Sequence, residues 1–157
     1  MENNYDFICY FDGACEPTNP SGNMGIGAII INATTGEVVK ELSHYIGSKA
    51  DNSNNVAEYQ AFGWTITQLL SIAPEKSKIL IHGDSKLVIE QMNGKWGIKS
   101  GFYKQFADKA KGVLFELKKK CDVSIVWIPR EKNQKADELS KKCMIENGCE
   151  FRIQKNG

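Results

Sequence analysis

A chain of 157 residues, 41% hydrophobic and 25% charged, has the size and balance of a single globular domain that can bury a sizeable core. No run approaches the roughly 20 apolar residues of a membrane span, and the opening MENNYDFICYF lacks the basic-then-apolar order of a signal peptide, so a cytoplasmic protein without a membrane partner is expected. The net charge of +1 hides an uneven distribution: four lysines against ten acids over residues 1–85, net −6, then fourteen basic residues against seven acids over residues 86–142, net +7. The basic half is either a solvated helical face or a surface that flanks an acidic centre and meets a polyanion.

Residues 5–11 are almost continuously apolar and read as a central strand covered on both faces. The loop EPTNPSGN over residues 16–23 leads to a second strand over 24–31. ATTG turns the chain into a third over 37–47, so the first three strands are expected to be antiparallel. The period then changes to that of a helix over 56–72, with a polar cap region at 53–55 and Pro74 as its stop. A short strand over 78–82 and a short helix over 85–92, ended by Asn93-Gly94, come next. A longer amphipathic helix carries Phe102, Phe106, Ala110, Val113, Leu114 and Leu117 on its inner face. A last strand over 123–128 is broken by Pro129, and a final helix over 134–145 turns Ala136, Leu139, Cys143 and Met144 inward. Residues 1–147 form the expected domain, and residues 148–157 a short tail expected to fray. Strand–helix–strand units in the second half imply parallel crossovers and hence a mixed α/β sheet.

Four acids stand at positions where this arrangement gathers them. Asp12 continues the strand face of Ile8 and Tyr10, though Asp12-Gly13 also suits a turn. Glu58 shares a helical stripe with Phe62, Thr65 and Leu69, so it points inward, where a carboxylate needs a partner, a proton or a metal. Asp84 follows a strand, where capping a helix is the commonplace role, but the carboxyl end of a strand is also where ligands bind in open sheets. Asp137 lies a turn inside the last helix, where the helix dipole favours an acid. Together they suit hard divalent ions, which prefer oxygen ligands and which, in pairs, clamp the attacking and leaving oxygens of a phosphodiester.

The stretches YFDGAC, MGIGAIIIN, NNVAEYQA, IHGDSKLVIEQMNG and WIPREKNQKADELS, in this order, resemble ribonuclease H of type 1 over almost the whole chain. The resemblance implies the ribonuclease H-like fold, a five-stranded mixed sheet with helices on both faces. It implies endonucleolytic cleavage of the RNA strand of RNA·DNA hybrids, giving 5′-phosphate and 3′-hydroxyl ends. Two Mg²⁺ ions, with Mn²⁺ as a substitute, are implied as cofactors on Asp12, Glu58, Asp84 and Asp137. Implied substrate contacts are Gly13, Cys15 and Asn19 in the loop after Asp12, Asn54 and Asn55 toward the minor groove, Trp96 along the DNA strand, and Asn133 in the loop before Asp137.

Two departures from that family's pattern stand out. Its bacterial members often carry a histidine in the loop before the last aspartate. Here that loop reads Arg130, Glu131, Lys132, Asn133, Gln134, and the chain's histidines are His44 and His82, so no histidine base is assigned. Residues 95–101 are too short for the separate basic helix of some members. The five cysteines show no zinc-like spacing and are expected to be reduced, with Cys9 and Cys143 in the core. A monomer is expected, and an independent enzyme starting at Met1 rather than a reverse transcriptase domain. Another nuclease of the same broad fold, a non-catalytic nucleic-acid-binding module and a domain of a reverse transcriptase are the alternatives to that reading.

Overall fold

In the computed structural model, which describes residues 4–152, five strands and four α-helices follow the expected order. They are β1 (Phe7–Glu16), β2 (Asn23–Asn32), β3 (Val38–Ile46), α1 (Asn54–Ile72), β4 (Lys78–Gly83), α2 (Lys86–Met92), α3 (Lys104–Lys120), β5 (Asp122–Trp127) and α4 (Gln134–Glu146). The sheet runs β3-β2-β1-β4-β5. β1, β2 and β3 are antiparallel, and β1 with β4, and β4 with β5, are parallel. The fold is thus the five-stranded mixed sheet expected. No helix among the described residues is long and apolar enough to cross a membrane.

The ends of the elements have local causes. The Ser53 hydroxyl accepts the Val56 N–H at 3.1 Å and caps α1, and Pro74 follows its last turn at Ala73. Lys118, Lys119 and Lys120 fill the last turn of α3, where the dipole favours cations. α3 begins after Phe102, which is 48% exposed, so the stripe expected from Phe102 starts only at the half-buried Phe106.

The main core lies between one sheet face and α1 with α3, where Phe11, Phe62, Ile66, Leu69, Ile81 and Leu117 are fully buried. Phe11 meets Phe62 edge to face at 5.4 Å, the arrangement the ring quadrupoles favour. The other face receives α4. A Cβ at Gly25 or Gly27 would overlap the carbonyls of Ser140 and Ala136, so these two glycines let the helix lie directly on β2. All five cysteines are free thiols, with Cys9 and Cys143 buried.

Two expectations at the strand ends are corrected. β1 does not stop near Phe11 but runs to Glu16, because it stays paired with β2 as far as Glu16↔Asn23. The segment after α4 does not fray as far as it is described. The Arg152 backbone N–H and guanidinium bind Glu16 at 3.0 Å, while residues 153–157 of the expected tail lie outside the described residues.

Candidate active site

The site begins where two parallel strands part. β1 and β4 pair from Phe7↔Ile79 to Phe11↔Gly83, and Asp12 and Asp84 are the next residue of each chain segment. Asp84 is spared the capping role, since the neighbouring Ser85 hydroxyl accepts the Val88 N–H at 3.3 Å and caps α2. Asp12 takes the Gly13 N–H on Oδ1 at 2.9 Å. A Cβ at Gly13 would overlap the Ala57 backbone and sit 2.5 Å from the Glu58 nitrogen. Glycine there therefore lets the start of α1 close over β1 and brings Glu58 to Asp12. Asp137 arrives from the other face: Gly27 is the cross-strand partner of Asp12, and α4 rests on Gly27 at Ala136.

One oxygen from each of Asp12, Glu58 and Asp84 lies within 4.8 Å of the others, and Asp12 and Glu58 are only 5% and 8% exposed. Burial, and then the charge of Asp84, pushes the Asp12 carboxyl up to about 7. Burial and the charges of Asp12 and Asp84 push Glu58 well above the carboxylate range, and burial raises Asp84 as well. The buried Glu58 Oε1 has no hydrogen-bond partner among the described residues. Three close, poorly solvated carboxylates with an oxygen left over fit a hard divalent cation, which removes both the repulsion and the orphaned acceptor.

Asp137 lines the same cleft, of about 500 Å³, but stands apart from this trio. Its side chain is 28% exposed, and its Oδ1 is paired with Lys141 Nζ at 3.0 Å.

The expected substrate contacts separate into several kinds. Gly13, Asn54 and Asn55 line the cleft. Asn54 also braces it, its Oδ1 accepting the Cys15 N–H at 2.8 Å and its N–H donating to Asn19 Oδ1 at 3.0 Å. Asn19 is thereby a brace for α1 and is not among the cleft-lining residues. Cys15 is corrected: its side chain is fully buried because it shares the core face of Phe11, and its thiol donates to Thr18 O. Asn133 is corrected as well. It is 1% exposed and donates to Phe11 O at 2.9 Å and Asp84 Oδ2 at 3.0 Å, so it holds a carboxylate rather than meeting solvent. Trp96 is 48% exposed in a separate groove with Leu87, Gln91 and Tyr103. His82 is buried, with Nδ1 3.1 Å from Cys9 O and its ring stacked on Tyr10, and His44 lies on β3, so neither lines the cleft.

Sequence reasoning missed Glu16, Lys141 and Arg152, which line the cleft with Arg130. Glu16 was within reach of the strand period, since it follows Asp12 and Ala14 on one face once β1 is carried past Asp12. Burial works against its charged form, but the hydrogen bonds and charge of Arg152 outweigh it and hold the Glu16 carboxyl below its ordinary range.

Residues 10–143 match the "Reverse transcriptase-like" family model. A bifunctional protein of Mycobacterium tuberculosis is 30% identical over 126 residues, covering 80% of this chain and 32% of that protein. The chain thus spans about a third of that relative's length. A ribonuclease H of Clostridium botulinum is 29% identical over 151 residues, covering 88% of this chain and 95% of its own. Among solved structures, LC11-RNase H1 in complex with an RNA/DNA hybrid, from an enzyme isolated from compost, is 30% identical with a TM-score of 0.77. It covers 90% of this chain and 98% of that one.

Proposed function

The chain belongs to the ribonuclease H family, type 1, and on that premise we propose that it hydrolyses the RNA strand of RNA·DNA hybrids endonucleolytically, leaving 5′-phosphate and 3′-hydroxyl ends. The observation that carries this reading is the trio of Asp12, Glu58 and Asp84: close together, with Asp12 and Glu58 buried and Glu58 Oε1 unpartnered, at the mouth of the parted strands. The hybrid held by the structurally similar compost enzyme supports the substrate class.

In this reading residues 1–147 are the catalytic domain and 148–157 its tail. Asp12, Glu58, Asp84 and Asp137 hold two Mg²⁺ ions, with Mn²⁺ as a substitute. Bound divalent ions supply the positive charge that stabilises the reacting phosphate and make water a stronger nucleophile at neutral pH. The protein's own groups do the rest. Asn133 keeps the Asp84 carboxylate oriented, Lys141 restrains Asp137, and the amides of Asn54 and Asn55 face the shallow minor groove in which the hybrid displays its 2′-hydroxyls. Since neither histidine lines the cleft, no imidazole moves a proton here. A cytoplasmic location belongs to the same reading, on the free cysteines, and so does a monomer, on the small size of the chain.

The test is cleavage of an end-labelled RNA·DNA hybrid beside matched single-stranded RNA, double-stranded RNA and double-stranded DNA, with Mg²⁺, Mn²⁺ or EDTA, for wild type and Asp84→Asn. Metal-dependent cutting of the hybrid's RNA, lost in the variant, is the expected result. An intact hybrid under both metals overturns the catalytic reading, and cutting of double-stranded DNA points to another nuclease on this fold.

A further inference from the structure

Beyond the carboxylates, the cleft contains a cation that the chemistry above does not use. Glu16 ends β1 on the face of Asp12, and its side chain is 9% exposed. Arg152 clamps it: Nε donates to Oε1 at 3.0 Å, Nη2 to Oε2 at 3.1 Å, and the backbone N–H to Oε1 at 3.0 Å. Nη2 also donates to the carbonyl of Cys15 at 2.9 Å. A guanidinium held bidentately along its Nε–Nη2 edge by one carboxylate loses its rotational freedom, and the carboxylate that fixes it is nearly buried.

A latch for the segment after α4 would account for these bonds, but not for where the guanidinium stands. Arg152 lines the same cleft as Asp12, Glu58, Asp84 and Asp137, and its side chain remains 46% exposed. Of its five N–H donors, the bonds above use three, and both on Nη1 are without an acceptor among the described residues. Two free donors on an immobilised planar cation are a ready contact for a phosphate. The need is physical as well. A strand entering a cleft walled by acids brings further phosphates beside the reacting one, and these require fixed positive groups of the protein.

We infer that Arg152 is a substrate-binding residue that takes an RNA-strand phosphate neighbouring the scissile one, and that Glu16 is the positioning residue that holds its guanidinium there. The inference rests on the hybrid-cleaving reading and deepens it.

The experiment uses the full chain. In steady-state cleavage of an RNA·DNA hybrid with Mg²⁺, Arg152→Ala raises KM about five- to tenfold while kcat falls less than about twofold, the size of one charge-assisted contact at a half-exposed site. For hybrid binding, measured by anisotropy in the Asp84→Asn background, the slope of log affinity against log salt becomes shallower by about one. Arg152→Lys restores the slope and part of KM, because an ammonium keeps the charge but not the fork. Glu16→Gln alone raises KM by less than Arg152→Ala does, and Arg152→Ala/Glu16→Gln stays as weak as Arg152→Ala. An Arg152→Ala protein with wild-type KM and salt slope, and only a lower Tm, reduces the arginine to a latch and overturns the inference. A double variant returning to the wild-type KM overturns it too, since the loss would then come from the uncovered Glu16 charge. A wild type that neither binds nor cuts hybrid brings down the functional reading and this inference together, whereas failure of the inference alone leaves wild-type cleavage intact.

Discussion

The two sides of the cleft handle negative charge in opposite ways. On one side, Asp12, Glu58 and Asp84 crowd together without an ion-pair partner among the described residues, and burial, with their mutual charge at Asp12 and Glu58, pushes their carboxyls up. On the other, Asp137 of α4 is paired with Lys141, and Glu16 at the end of β1 with Arg152, and each pair is partly open to water. A site that neutralises two of its acids with side chains and leaves three facing one another has reserved the latter for a ligand. Charges compensated within the fold act on position, and uncompensated ones act on whatever cation arrives.

The largest effect breaks this contrast by substitution. Glu58→Gln or Asp84→Asn is expected to lower hybrid cleavage about a thousandfold, the rate equivalent of the several kcal/mol that metal-borne charge stabilisation supplies. Asp137→Asn, already compensated by Lys141, is expected to lose about ten- to a hundredfold. Equal losses in a gel-based cleavage assay would dissolve the distinction between the two sides.

Next comes the support beneath the trio. Asn133→Ala removes the bonds to Phe11 O and Asp84 Oδ2. Loss of such an outer-shell orienting contact is expected to weaken Mn²⁺ binding by about ten- to a hundredfold in a calorimetric titration. Unchanged affinity would mean that Asp84 is oriented by its backbone alone.

The α4 side depends on close approach, and glycine substitutions sharpen that point. Gly27→Ala drives a methyl into Ala136 and Ser140, an overpacking that is expected to cost about 1–3 kcal/mol in urea unfolding. Gly63→Ala, in α1 with open space around its Cβ, is expected to stabilise by about 0.5–1 kcal/mol. The same sign for both would refute the packing argument.

The smallest effect is on stability against pH in EDTA. Asp12, raised from 3.8 to about 7 in the fold, keeps a proton there that the unfolded chain releases between those values. The contribution of Asp12 to metal-free stability is therefore full below about 4 and declines as pH rises towards 7. The Tm in EDTA is expected to rise by a few degrees between pH 7.5 and pH 5, and saturating Mg²⁺ to remove most of that rise. A Tm that falls over this interval would contradict the raised carboxyl.

Much of this molecule was written in local pattern. Apolar runs and 3.6-residue periodicity marked the strands and α-helices, because burial on one face or on both imposes a pattern wherever an element meets the core. The setting of Glu58 on an apolar stripe already signalled an acid that needs a partner. Other features required distant chain segments to meet. Asn133 looked like a loop residue open to substrate, and only the approach of its loop to Phe11 and Asp84 buries it. Cys15 turned to the core because β1 stays paired with β2 past the point where β4 leaves it, a consequence of register rather than propensity. Arg152 stood in a stretch without periodicity, and its place in the cleft depends on Glu16, 136 residues earlier. The sequence by itself therefore determined the elements, the mixed sheet and the acids that gather at its open end, since period and residue chemistry act locally. The tertiary structure alone decided which acids stay uncompensated, which polar residues are braces and which cation reaches the cleft, because burial and pairing are properties of neighbours far apart in the chain.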